Sequence, residues 1–204
     1  MDLKVNNLGK KYEGNWIFRN INLSLSSGSK ILIKGRNGSG KSTFAKAISG
    51  LILPSEGGLK YSLNGKEILA EQAYQKIQLI GPYVDLIEDF TLQEFLNFHV
   101  KFKPFLEGMS LSDVVVSGNF KGQEEKYIRH FSSGMKQRVK ILLALFTSSP
   151  LVILDEPTSN LDEWGVDWYL RLVSDYGKNK TILVCSNNAQ QEAAFCTESI
   201  SMEV

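Results

Sequence analysis

The stretch that decides the fold is "ILIKGRNGSGKSTFAKAISGLI", residues 31–52. Its first three residues are apolar and β-prone, so they read as a buried strand. A glycine-rich loop follows, and then a run with helical spacing. Gly35, Gly40, Lys41 and Ser42 complete the pattern G-x-x-x-x-G-K-[ST]. Gly38 and Gly40 let the backbone curl, so that its N–H groups converge on a phosphate. The helix starting near Lys41 adds the positive end of its dipole. Lys41 is expected to reach the β- and γ-phosphates, and the Ser42 hydroxyl to ligate Mg²⁺.

Downstream, "LVILDEPTSNLD" (residues 151–162) supplies the missing carboxylate. Asp155 ends an apolar strand, as the metal-side carboxylate of a nucleoside-triphosphate site does. Glu156 follows at once. Two adjacent carboxylates are costly unless a metal or a water lies between them, so Glu156 is the candidate to take a proton from an attacking water. A third run, "TILVCSNNAQ" (181–190), is an apolar strand that ends in Ser186, Asn187 and Asn188. A polar cluster at a strand's carboxyl end in an α/β protein points at a ligand.

Bulk composition narrows the function. The chain has 204 residues, enough for one well-buried domain or a domain with a subdomain. The 23 basic residues balance 22 acidic ones, for a net charge of +1, which gives no footprint for nucleic acid or an acidic membrane surface. Only Cys185 and Cys196 are present, and Cys185, inside an apolar run, is expected to be a reduced buried thiol in a cytosolic protein. The amino terminus has no apolar signal region, and "ILLALF" is far shorter than the roughly 20 residues a membrane helix requires. Any membrane part is expected from a partner.

Texture changes along the chain. Residues 1–35 alternate with period two, with Ile21, Leu23 and Leu25 on one face. "KYSLNGKEI" reads as two strands about an Asn64-Gly65 turn. Spacing turns helical from Thr91 to Arg129, with Leu92, Phe95, Leu96 and Phe98 near one face, and "GMKQRVKILLALF" is a further helix. The all-apolar runs at 151–154 and 181–185 are expected to be parallel strands covered on both faces. Together these give one α/β domain interrupted by a helical insert.

Ser132, Ser133 and Gly134 open the helix in "FSSGMKQR"; alone they read equally as an ordinary helix cap. With the phosphate loop before them and D-E-P-T-S-N-L-D after, the chain from Tyr12 to Asn188 resembles the ATP-binding cassette ATPases. The resemblance implies a P-loop NTPase (RecA-like) α/β core with an antiparallel β subdomain and a helical insert at roughly 85–147, in one nucleotide-binding domain spanning 1–204. It implies ATP and Mg²⁺ as ligands, with Gly35 and Asn37 to Thr43 (Gly38, Ser39, Gly40, Lys41 and Ser42 between them) on the phosphates and Ser42 with Asp155 on the metal. Tyr12 stands where the family stacks an aromatic on adenine; an ordinary turn aromatic is the equal alternative. Ser132, Ser133 and Gly134 would touch the nucleotide held by a second cassette, expected to be a copy of this chain. Asp162 would close the loop crossing that interface.

The departures are specific. The signature turn, usually L-S-G-G-Q, is Phe131-Ser132-Ser133-Gly134-Met135. Pro82 or Tyr83 stands where the family has a glutamine, and Asn187 where it has a histidine. Slow basal hydrolysis by Glu156 and Asn187 follows as an expectation. The leading function is the ATP-hydrolysing subunit of a membrane transporter, peripheral on the cytoplasmic face through a membrane-spanning partner. In size and in its "SGMKQR" and "DEPTSNLD" runs, the chain is most similar to haem-exporter-type subunits. The alternatives are a cassette ATPase not tied to transport and a weakly hydrolysing regulatory subunit.

Overall fold

The computed structural model describes residues 1–188 and 192–202. The alternating amino-terminal run divides between two sheets. β1 (Asp2–Tyr12) and β2 (Asn15–Leu25) form a hairpin. Its two-residue turn puts Glu13 and Gly14 at φ 50° and 84°, the left-handed geometry that matches strand twist. β3 (Lys30–Lys34) leaves that sheet for the parallel one. β4 (Glu56–Leu63) and β5 (Lys66–Ile68) meet about Asn64-Gly65 as expected, and the antiparallel order is β2-β1-β4-β5.

The remaining strands are β6 (Ile77–Ile80), β7 (Leu151–Asp155), β8 (Thr181–Ser186) and β9 (Glu198–Ser201). With β3 they make a parallel sheet in the order β6-β7-β8-β3-β9. Every residue of β7 and β8 is buried. Alternation along these strands feeds two cores. Val152, Leu154, Ile182, Val184 and Leu32 face one, and Leu151, Ile153, Leu183, Cys185, Ile31 and Ile33 face the other. The second core is closed by the antiparallel sheet and by α1 (Lys41–Ser49), through Phe44 and Ile48. Cys185 is a fully buried free thiol.

The first core is closed by α5 (Ser133–Phe146), α6 (Glu163–Tyr176) and the insert. The insert departs from its expected helical run over 91–129. Besides the four-residue α2 (Ala70–Ala73) ahead of β6, the helices are α3 (Leu92–Val100) and α4 (Leu111–Ser117), each opened by a capping box, Thr91 with Glu94 and Ser110 with Asp113. Between and after them the chain turns. Pro104 removes a backbone donor, and Gly108, Asn119 and Gly122 have left-handed backbones that a helix excludes. Of the four residues expected near one face, Leu92, Phe95 and Leu96 are buried, but Phe98 is 38% exposed. It packs against Phe90 and Phe102 on the surface instead of entering the core.

Candidate nucleotide site

The loop from Gly35 to Gly40 links the end of β3 to the start of α1. Gly38 and Gly40 have φ of 85° and 90°. A Cβ on Gly40 would also lie 2.9 Å from Ile17 Cγ2, so both backbone angle and space require glycine there. Lys41 is 5% exposed and bends back into the loop, donating to the carbonyls of Gly35 at 2.7 Å and Arg36 at 3.0 Å. The ammonium is thereby held within the loop.

Around this loop lies a cavity of about 680 Å³. Asn37, Gly38, Gly40, Lys41, Ser42 and Thr43 form one wall, and Tyr12, Ile17, Lys46, Pro82, Tyr83 and Glu156 the others. Gly35 and Ser39, expected among the phosphate contacts, do not line it. The Ser39 N–H donates to Arg36 O at 3.1 Å, and its buried hydroxyl has no partner among the described residues. Tyr12, at the hairpin tip, is 49% exposed with the Lys10 ammonium 4.7 Å from its ring centre.

Asp155 ends β7 beneath this cavity, 4% exposed, and Oδ1 has no hydrogen-bond partner among the described residues. Burial raises its carboxyl pKa, and the neighbouring Glu156 charge adds to that, while a hydrogen bond with Ser42 and the Lys41 and Lys46 ammoniums oppose it. An orphaned buried carboxylate oxygen beside a serine hydroxyl fits a hard divalent cation. Among the described residues no three His, Cys, Asp or Glu gather to hold a metal. Glu156 sits at φ 49°, an uncommon angle for a non-glycine residue, with its N–H donating to Cys185 O at 2.9 Å. That turn aims its side chain into the cavity.

Asn187 reaches the rim. Its Nδ2 donates to Asn37 Oδ1 at 2.8 Å, although it does not itself line the cavity. Pro82 and Tyr83 are exposed, and the Lys46 ammonium lies 4.3 Å from the Tyr83 ring centre. No amide side chain stands at that place. Neither histidine substitutes: His130 is exposed and His99 bonds to Thr147 in the insert.

Ser132, Ser133 and Gly134 open α5 elsewhere. Ser132 Oγ accepts from Met135 N at 3.2 Å as the helix cap. A Cβ on Gly134 would lie 2.9 Å from Asn160 O, so this glycine allows the helix start to abut the loop after β7. The three residues, with Asn160, Asp162 and Trp164, line a second cavity of about 410 Å³ that shares no residue with the first. Asp162 caps α6, accepting from Gly165 N at 2.8 Å.

Sequence reading missed Lys46, Arg138 and Glu192. Lys46 follows Ser42 by one helical turn, a spacing that places both on one face of α1. Arg138 lines the second cavity and donates to Gly118 O at 3.1 Å. Glu192 is a buried carboxylate with partners far away in sequence, which no local pattern marks.

Comparison with known proteins agrees with this geometry. The family model described as "ABC transporter" matches residues 18–159. An uncharacterised ABC transporter ATP-binding protein of Bacillus subtilis, YybJ, is 28% identical over 98% of this chain and 92% of its own length. The cytochrome c biogenesis ATP-binding export protein CcmA of Agrobacterium fabrum is 30% identical over 92% of this chain and 89% of its own. The lantibiotic transport ATP-binding protein SrtF of Streptococcus pyogenes is also 30% identical, so the haem-exporter branch is not singled out. A solved ATP-binding subunit of an ABC transporter superposes with a TM-score of 0.81 at 25% identity, over 98% of this chain and 85% of that one. The chain belongs to the ABC transporter family, as one of its ATP-binding subunits.

Proposed function

We propose that residues 1–204 form a single cassette, with residues 85–147 as its helical insert, and that two copies pair head to tail around two ATP molecules. The observation that carries this is the pair of separate cavities on one chain. One has the phosphate loop, a buried orphaned carboxylate and a candidate base. The other has a capped helix start and an interface loop, but no lysine and no phosphate loop. Each is half of a triphosphate site, and only a second copy brings unlike halves together. A protein solved as a dimeric, post-hydrolysis cassette bound to ADP and Pi, at 24% identity, shares the fold of this chain with a TM-score of 0.82.

In this arrangement Tyr12 stacks on the base, and Lys41 and the loop N–H groups from Asn37 to Thr43 hold the phosphates. Ser42 and Asp155 would hold Mg²⁺, which when bound offsets phosphate charge. Glu156 accepts a proton from the water that attacks the γ-phosphorus as the bond to the β-phosphate oxygen breaks. Asn187 turns from Asn37 toward the γ-phosphate, and Ser132, Ser133 and Gly134 approach it from the partner. With Pro82 or Tyr83 in place of a glutamine and Asn187 in place of a histidine, fewer groups position the water, so basal hydrolysis is slow. Among the described residues no helix is long and apolar enough to cross a membrane. A membrane-spanning subunit, reached on the cytoplasmic face, is the proposed partner for transport.

Sedimentation of Glu156→Gln tests the pairing. Without hydrolysis the γ-phosphate stays in place, so ATP should yield a dimer, while ADP and buffer leave a monomer. One mass under all three conditions would overturn the head-to-tail reading.

A further inference from the structure

We propose that Glu192 is a positioning residue that locks the phosphate-loop half of the site to the signature half within one chain. The inference rests on the reading that the two cavities are halves of nucleotide sites. Glu192 is 4% exposed, lines neither cavity and forms no ion pair among the described residues. A buried carboxylate without a cation is costly, so its hydrogen bonds must satisfy it fully.

Those bonds run in two directions. Oε1 accepts from Thr158 N at 3.0 Å and from Thr158 Oγ1 at 2.7 Å. Oε2 accepts from the Ser186 hydroxyl. That hydroxyl in turn accepts from Asn188 N at 2.8 Å, so its single proton is committed to Glu192. The carboxylate itself is held in place. Its backbone N–H donates to Asn188 O at 3.1 Å, and the Tyr169 hydroxyl on α6 donates to its carbonyl at 2.8 Å.

What the two oxygens hold matters more than how many bonds they make. Thr158 lies between Glu156, in the nucleotide cavity, and Asn160, in the signature cavity. Both flanking residues have left-handed backbones, φ 49° and 66°, which local preference does not enforce. Glu192 pins the residue midway between them. Ser186 is the last residue of β8, immediately before Asn187, which holds Asn37 of the phosphate loop. One carboxylate therefore spans the base, the interface loop and the residue in the histidine position. If either end moves, its donor leaves a charge that water does not reach, so both ends are kept in register.

Amide exchange read by mass spectrometry on the nucleotide-free chain tests this without requiring dimerisation. Ser186→Ala removes only the β8 end of the bridge, and Thr158→Val only the loop end. A bridge that transmits position predicts that Ser186→Ala speeds exchange in residues 156–162 by about tenfold, and that Thr158→Val does so at 186–188. Change confined to the mutated side overturns the proposal. In steady-state hydrolysis, Ser186→Ala and Glu192→Gln should each lower kcat about tenfold with KM within about twofold. Equal loss of kcat and ATP affinity, or no loss, overturns it as well. Failure of Glu156→Gln to dimerise would remove the head-to-tail reading and leave the exchange result to decide the bridge.

Discussion

The two ends of the parallel sheet follow opposite rules. At the amino ends of β7 and β8, buried polar groups are turned on the protein itself. Lys180 is 5% exposed and donates to Thr147 O at 2.6 Å and Ser149 O at 3.0 Å. Thr181 Oγ1 donates to Met1 O at 2.8 Å and accepts from Gly28 N at 3.0 Å, tying the first residue to the sheet. At the carboxyl ends, Asp155 Oδ1 and Ser39 Oγ have no partner among the described residues, and Glu156, Gly38 and Gly40 have left-handed backbones. Ser149 Oγ, also unpartnered, is the exception at the lower end. The lower end uses its polar groups for cohesion. The upper end satisfies some of its polar groups, Lys41 on loop carbonyls and Ser186 on Glu192, but leaves Asp155 Oδ1 without a partner among the described residues, at the place where the proposed metal would bind.

If that division is right, substitutions at the two ends should separate stability from binding. Lys180→Ala deprives two buried carbonyls of a charged donor and should cost about 3 kcal/mol, even after the relief of no longer burying the ammonium. Urea midpoints at fixed pH measure this, and calorimetric nucleotide affinity should stay within about twofold. Glu156→Gln should leave both the midpoint and nucleotide affinity unmoved and stop turnover alone. Loss of affinity in Lys180→Ala as large as its loss of stability would erase the distinction.

How much of this the sequence reveals depends on how far apart the partners lie. The phosphate loop was legible because its chemistry is local: glycine conformations, a lysine and a serine at fixed offsets between strand and helix. Asp155 and Glu156 were legible because a buried strand ends on them. The turn at Asn64-Gly65 needs only two residues. The allotment of β3 to a different sheet from β1 and β2 is set by pairing with β8, some 150 positions on, and nothing in its own alternation marks it. In the insert, apolar spacing ran on past Pro104 and Gly108 and put Phe98 near the face of Leu92, Phe95 and Leu96, but Phe98 is partly exposed near the end of α3. Glu192 sits 34 positions from Thr158, and Lys46 meets Tyr83 across 37, so neither contact leaves a local trace.

The lower end's rule extends into the insert through Thr147, whose carbonyl accepts from Lys180 and whose hydroxyl meets His99 Nε2 at 3.1 Å. His99 lies between Phe95 and Phe105. Burial first, and then the charge of Lys103, push its pKa down to about 4. The folded value lies below the ordinary 6.5, so the native state binds fewer protons between the two. Stability should therefore fall as pH drops through 6.5, with the loss complete near 4 and amounting to about 3 kcal/mol. His99→Gln should flatten that window relative to wild type, as read by urea midpoints from pH 7 to 4. Parallel pH profiles would mean that His99 gains its proton without cost and that the insert does not share the lower end's dry packing.

The smallest expected effect bears on whether the upper end is complete. Asn187 reaches the phosphate loop, but its amide is engaged with Asn37 and carries no proton that titrates near neutrality. Under the proposed function, a nucleotide in the cavity would offer that amide a γ-phosphate oxygen in place of Asn37, and an amide gives only a neutral hydrogen bond. Imidazolium at the same position would give a charged one, worth about 1.4 kcal/mol more in the transition state, or about tenfold in rate. Asn187→His should thus raise steady-state phosphate release about tenfold and introduce a pH dependence between about 6 and 7, which wild type lacks. Asn187→Ala should slow release, because Asn37 then loses its partner and the phosphate its donor. The comparison requires both variants with Glu156 intact, since without the base neither change has a reaction to act on. If alanine and histidine both match wild type at every pH, the end of β8 is part of the cohesive framework, and the boundary between the sheet's two ends lies nearer the nucleotide than Asn187.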